Sequence, residues 1–548
     1  MKIYSILLFG IFLISLVSRS LPQSITKENI ENAEKILGID FTDAERDSML
    51  KTLDEHLESY KNIRGVELKN SIPPAILFNP IPVRFEFPKE QDPIQFSSYS
   101  YVKMPADKND LAFYSIGELA ELIRTKQITS TGLTKFFLVR LIKYDPALHC
   151  VITITEERAL QQANLMDEEI AAGKYRGLLH GIPFGAKDLL STKDYKTTWG
   201  AMPFKDQIIP EDAAVITKLE DAGAVLCAKL TMGALAWGDV WFGGMTRNPW
   251  DTTKGSSGSS AGSASSVSAG LLPFAIGTET WGSIVSPSTV CGTTGLRPTY
   301  GRVSRTGAMA LSWSMDKIGP ICRTAEDLAI VFNAIYGADE KDQTLYDLPF
   351  NYKPSISLEE LRIGYLKNDL EKDSAFKKQD SLTLETLKKL GVELIPIELP
   401  KIPVNDIVFI LDCEAAAAFD ALTRSNRDDL LVRQIKNAWP NVFRASRFVP
   451  AVEYINANRV RYQLIQEMAM LMKDIDLYIA PSFEGDNLLL TNLTGHPCVV
   501  VPNGFSEEGT PTSITFIGNL FDEGKIIAFA KAYQDATDFH KKHPTGFE

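Results

Sequence analysis

The 548-residue chain contains no Cys-x-x-Cys pair and no His-Glu-x-x-His, and only six histidines in all, so the spacings of a zinc site are missing. It also lacks a basic run. With a formal net charge of −12 it offers no electrostatic footprint for DNA or RNA, and nucleic acid is excluded as the expected partner. No glycine-rich stretch ends in Gly-Lys-Ser/Thr, the ending that would set a lysine on bound phosphates. The one long apolar run, Ile3 to Val17, falls short of the roughly 20 residues of a spanning helix. Lys2 precedes it, and Ser18 and Ser20 follow at a spacing suited to cleavage, which predicts a signal peptide over residues 1–20 and export to the periplasm or medium. Stable membrane insertion is not expected. No cysteine precedes Cys150, so a lipid-modified N-terminal cysteine is set aside. The six cysteines allow about 15 pairings and favour none. Cys227 and Cys498 lie inside apolar runs, and most of the six are expected to be buried free thiols.

What is present is an ordinary globular composition, 45% hydrophobic and 23% charged, enough to bury a large core. Ile30, Ala33, Ile36 and Leu37 share one helical face after Thr26, with Gly38 placed to end the helix. Thr42 and Glu45 form a capping box that starts a second helix. Residues 21–72 therefore read as a charged helical extension. Residues 73–114 hold Pro73, Pro74, Pro80, Pro82, Pro88 and Pro93 and read as an extended connector lying over another surface. From Ser115, which with Glu118 caps a helix, apolar strands alternate with helices. Such strands are Val225 to Lys229, Pro273 to Gly277, Ile363 to Tyr365, Leu477 to Ala480 and Cys498 to Pro502. That alternation predicts an α/β fold, a partly parallel sheet flanked by helices, in one large domain over 115–548.

The segment from Gly255 to Ser283, GSSGSSAGSASSVSAG followed by LLPFAIGTETWGS, is the densest signal in the chain. Glycine and serine at this density let the backbone turn sharply and let a carbonyl approach main-chain N–H groups. Chemistry, more than packing, is the expected reason for the block. Together with GIPFGAKD (181–188), GTETWGSIVSPS (277–288), GLRPTYGRVSR (295–305) and Asn492 to Pro497, it resembles the ordered motifs of the amidase signature family over some four fifths of the chain.

The resemblance implies a central mixed β-sheet flanked by helices and a hydrolase with a Ser-cis-Ser-Lys triad. Matched by position, Lys187 resembles the catalytic lysine, Ser283 the nucleophile and Ser259 the cis-peptide serine that relays protons. Two Gly-Ser-Ser triplets occur, and the following Ala-Gly-Ser-Ala selects the second. An amide carbonyl is a poor electrophile, so the attacking hydroxyl must lose its proton as it attacks. Lysine can take that proton only when neutral, and burial among Ile182, Phe184, Leu189 and Leu190 would lower its pKa. The main-chain N–H groups of Thr280, Trp281, Gly282 and Ser283 are candidates for the oxyanion hole. Trp281 and Ser260 are candidate pocket residues. Trp281 stands where relatives more often carry glycine or aspartate, and Val285 where many carry arginine. Asp188 is expected to hydrogen-bond its loop, and six tryptophans around the motifs would form a funnel if their rings converged.

No cofactor and no metal is implied, and the expected partner is a small-molecule amide; a homo-oligomer is compatible with the sequence. Three rivals stand beside an exported amidase. Gly258-Ser259-Ser260-Ala261-Gly262 fits the Gly-x-Ser-x-Gly elbow, with Ser260 as nucleophile and His496 or His540 as base, but no buried strand precedes it. The glutaminase component of a tRNA-dependent amidotransferase shares the motifs, although export would not suit it. A catalytically silent binding protein on the same scaffold is the third.

Overall fold

The computed structural model describes residues 25–548, so residues 1–20, where a signal peptide is expected, lie outside the described residues. Two compact units are present, the first ending at Lys69 and the second spanning Asn70–Glu548. In the first, Thr26 caps the helix Lys27–Leu37 and Gly38, at φ 67°, closes it. The Thr42 and Glu45 capping box starts the helix Asp43–Arg64. The Arg46 guanidinium reaches back to the Glu34 carboxylate at 2.7 Å and ties the two helices together.

The second unit includes the proline-rich segment 73–114. Its first helical turn is the 3-10 segment Lys108–Phe113. The segment is fastened by side chains: the Ser97 N–H and the Tyr99 hydroxyl both donate to Glu326, at 2.7 and 3.0 Å. Beyond it, eleven strands form one sheet. In chain order they are β1 (Val151–Ile154), β2 (Pro183–Lys187), β3 (Val225–Leu230), β4 (Phe274–Glu279), β5 (Thr294–Arg297), β6 (Lys317–Cys322), β7 (Ile363–Leu366), β8 (Leu394–Ile397), β9 (Leu477–Pro481), β10 (Cys498–Phe505) and β11 (Pro511–Gly518). Their order across the sheet is β1-β3-β2-β4-β6-β5-β10-β11-β9-β7-β8. The β3, β2 and β4 neighbours run parallel, as do β9, β7 and β8, while the middle of the sheet is antiparallel. Strands β2, β3 and β4 are buried along their whole length, as sheets covered on both faces require.

The glycine-serine block has a packing reason beside the chemical one expected from the sequence. Its second half is the helix Ala261–Ser268, every residue of which is buried. A Cβ on Gly262 would lie 2.3 Å from the Cys150 carbonyl oxygen, and one on Gly258 would lie 1.9 Å from that of Gly238. Small residues let this helix press against the sheet, so the expectation of chemistry over packing is only half of the reason for the block. Before it, Asp251–Gly255 is a short, largely exposed hairpin strand.

All six cysteines are unpaired, and only Cys413 is more than marginally accessible. Titration with a thiol reagent should therefore modify Cys413 alone in the native protein and all six cysteines after denaturation, with reductant leaving the unfolding midpoint unchanged.

Candidate active site

Three chain segments meet at the C-terminal end of β2. Lys187, the last residue of that strand, is fully buried. Its Nζ donates to Ser259 Oγ at 2.8 Å, Thr278 Oγ1 at 2.8 Å, Ser260 Oγ at 3.1 Å and the Thr278 carbonyl at 3.4 Å. The peptide between Gly258 and Ser259 is cis. Burial drives the Lys187 pKa down to about 7, against a weaker upward pull from Asp316 and Glu279. A neutral amine at this spot can accept the Ser259 hydroxyl proton across the same 2.8 Å.

Ser260 lies beneath the site with its hydroxyl engaged. It donates to the Thr278 carbonyl and accepts from the Thr278 N–H, both at 3.1 Å, and its partners include no histidine. His496 is buried, bonded through Nδ1 to Thr494, and burial lowers its pKa to about 3. The elbow arrangement is therefore not assembled. His180 bonds through Nε2 to the Met166 carbonyl at 2.9 Å.

Ser283 enters on the loop after β4. It is nearly buried, and its carbonyl accepts the Ser260 N–H at 3.2 Å, which brings the two serine segments side by side. Its hydroxyl has no hydrogen-bond partner among the described residues. The loop is closed by Glu279, a residue that carries no expected role in the sequence. One carboxylate oxygen accepts the N–H groups of Ile284 and Val285 at 2.8 and 3.0 Å. The other accepts from Arg297 at 2.8 Å and Asn492 at 2.9 Å. Burial alone would raise the Glu279 pKa, yet Arg297 and these donors hold it at about 2. With 284 and 285 taken, the N–H groups of Thr280, Trp281, Gly282 and Ser283 donate to no protein acceptor among the described residues. Gly282, at φ 79°, supplies the left-handed turn that aims this run. These are the features that a developing oxyanion requires.

Asp188 faces away from Lys187. It pairs with the buried Lys229 at 2.8 Å and accepts the Thr198 N–H at 2.7 Å. Of the six tryptophans around the motifs, Trp313 alone is among the residues that line the cavity beside the site. Trp281 is 44% exposed, Trp199 packs on Phe204, Trp237 lies under Arg433, and Trp250 donates to the Cys291 carbonyl. A cavity of about 780 Å³ lies beside the site, with Thr278 and Thr280 among its lining residues. Among the described residues no cluster of three or more His, Cys, Asp or Glu could hold a metal, and no helix is long and apolar enough to cross a membrane.

The depressed lysine has a stability signature. Between the folded value of about 7 and the ordinary 10.5 the unfolded chain binds the extra proton, so stability rises with pH across that window and the penalty is complete below it. Replacement by methionine removes the penalty. The stability of Lys187→Met relative to wild type should therefore be more favourable near pH 6 than near pH 10, by about 1.4 kcal/mol per pH unit within the window. Urea unfolding at both pH values measures it.

Residues 132–527 match the profile of the family described as Amidase. The A-type component of the glutamyl-tRNA(Gln) amidotransferase of Thioalkalivibrio sulfidiphilus is 32% identical over 482 residues, covering 79% of this chain and 99% of that protein. Its counterpart in Coxiella burnetii is 33% identical over 479 residues, covering 78% and 99%. Among solved structures, the native peptide amidase of Stenotrophomonas maltophilia superposes with a TM-score of 0.71 at 28% identity, over 78% of this chain and 98% of that one. With four fifths of its length matched in sequence and in fold to such proteins, the chain belongs to the amidase family.

Proposed function

We propose that this protein is an exported amidase that hydrolyses a carboxylic amide to an acid and an amine or ammonia through an acyl-Ser283 intermediate. The observation that carries the reading is Lys187, a buried amine with a pKa near 7 whose four hydrogen-bond partners are all neutral oxygens. As Ser283 Oγ attacks the carbonyl carbon, its proton passes to Ser259 while the Ser259 proton passes to Lys187 Nζ. The free N–H groups of 280–283 receive the oxyanion. The proton returns by the same route to the leaving nitrogen, the C–N bond breaks, and an acyl ester remains on Ser283. Water then attacks the ester by the same relay, releasing the acid and restoring the serine.

A second reading, release of ammonia for use by partner proteins, draws on the 32% and 33% identity to the amidotransferase components. Glutamine consumption that rises on addition of a partner complex would favour it. Hydrolysis of simple amides by the isolated chain favours the amidase.

Against a panel of amides varied in acyl length and amine size, Ser283→Ala should lower kcat by at least about 10⁴-fold. Lys187→Ala should lower it by about 10²–10⁴-fold. Below about pH 7 the rate should fall tenfold per pH unit, because the base is then protonated, and above it the rate should level. A rate rising toward acid would overturn the mechanism. Export is supported by Lys2 and the apolar run Ile3 to Val17. N-terminal sequencing of the mature protein should begin after residue 20, and a retained Met1 would remove this part of the reading.

A further inference from the structure

One wall of the cavity comes from a segment outside the family-matched residues 132–527. At its start, Asn70 clasps the backbone of Ala310 in both directions: Nδ2 donates to the carbonyl at 2.8 Å, and the Ala310 N–H donates to Oδ1 at 2.7 Å. At its end, Phe78 sits edge-on to Tyr300, with ring centroids 5.0 Å apart, and the Arg461 guanidinium lies 3.6 Å from its ring centre. Arg461 is itself fully buried and fixed by the Leu493 carbonyl and by Ser314. Between these anchors residues 71–77, with Pro73 and Pro74, make no main-chain hydrogen bond. Ile76 is 90% exposed and Leu77 38% exposed, yet both line the cavity.

The facing wall has the same character. Ile455 and Tyr462 of the helix Ala451–Met472 line the mouth and are exposed, and Met309, Leu311 and Ile318 form the buried interior. The buried charges that line the cavity are already engaged by the protein, Lys317 by the Met315 carbonyl and Arg461 by Leu493 and Ser314. Asp342 pairs with Arg305 at 3.0 Å. Glu414 accepts from Ser312, Ser314 and Tyr454. Asp316 accepts the Thr280 hydroxyl at 2.5 Å and the N–H groups of Leu311 and Ser312. A zwitterionic amino-acid amide would find these charges spent, whereas a hydrocarbon chain would find an apolar wall and an apolar mouth.

We propose that residues 71–77 are a specificity-determining strap, anchored by Asn70 and Phe78, that selects amides bearing an extended apolar chain. The proposal rests on the acyl-Ser283 reading and names the substrate class of that site. Asn70 is a positioning residue, and Ile76 and Leu77 touch the chain.

Two alkyl fluorophosphonates, ethyl and dodecyl, test it, since Ser283 Oγ displaces fluoride from either without a known substrate. The full-length protein should be labelled at Ser283 at least about tenfold faster by the dodecyl reagent. The double variant Ile76→Ser/Leu77→Ser, and separately Asn70→Ala, should lower that rate ratio by about tenfold. The thermal midpoint of the double variant should stay at the wild-type value, because both side chains are exposed in the folded chain. Ile76→Leu/Leu77→Met should keep the ratio. Equal rates for the two reagents in the wild type, or an undiminished ratio in the variants, overturns the strap. Failure of both reagents to label Ser283 overturns the acyl-serine reading instead.

Discussion

The Glu279 carboxylate is the constraint on which the site depends. It is buried, sits at the end of β4, and joins three separate parts of the chain: its own loop through Ile284 and Val285, β5 through Arg297, and the helix Asn487–Thr494 through Asn492. A buried ion pair gives little net stability on its own, and losing one partner would leave an uncompensated charge inside the protein. Its value here is positional. By accepting two N–H groups just past Ser283 it closes the turn in which the N–H groups of 280–283 meet no protein acceptor among the described residues. Its charge reaches Lys187 as well, pulling that pKa upward, but desolvation dominates and the amine is half neutral near pH 7.

Close packing and chemistry share the same residues. The helix Ala261–Ser268 is built of glycine, alanine, serine and one valine because it is enclosed on every side. That tight seat puts Ser259 and Ser260 within bonding distance of Lys187, 72 and 73 positions earlier in the chain. A Cβ on Gly277 would come within 2.8 Å of the Ser260 hydroxyl, so β4 must approach bare at that point. Room for the hydroxyls is made by omitting side chains elsewhere.

Local structure is the legible part of the sequence. Capping boxes at Thr42 and Ser115 start helices where they stand, and the apolar runs at Val225, Ile363, Leu477 and Cys498 are strands, because these signals depend on neighbours a few residues apart. Strand order is not legible. Nothing in the spacing of residues says that β5 lies between β6 and β10. For the same reason Glu279, Arg297 and Asn492 show no role in the sequence although each lies inside a recognisable motif: their meaning is a mutual contact, 18 positions apart for Glu279 and Arg297 and 213 apart for Glu279 and Asn492. Trp281, conspicuous for its unusual identity, is 44% exposed, since the side chain of a loop residue is free to turn outward whatever its backbone N–H faces. The strap of residues 71–77 is equally hidden, because a proline-rich stretch has no periodic face to read.

Two lysines on neighbouring strands show how narrowly the chemistry is defined. In the register of β2 and β3, Lys187 lies beside Leu230 and Ala186 beside Lys229, so the pleat sends the two amines to opposite faces. Asp188, one residue further along, turns to the Lys229 side and gives its charge there. An acid adjacent in sequence is thus hidden from Lys187 by the alternation of a strand. Were the Thr278 hydroxyl, 2.8 Å from Lys187, exchanged for a carboxylate, the amine would hold its proton. Within this scaffold a charged and a neutral amine are separated by the placement of a single negative charge.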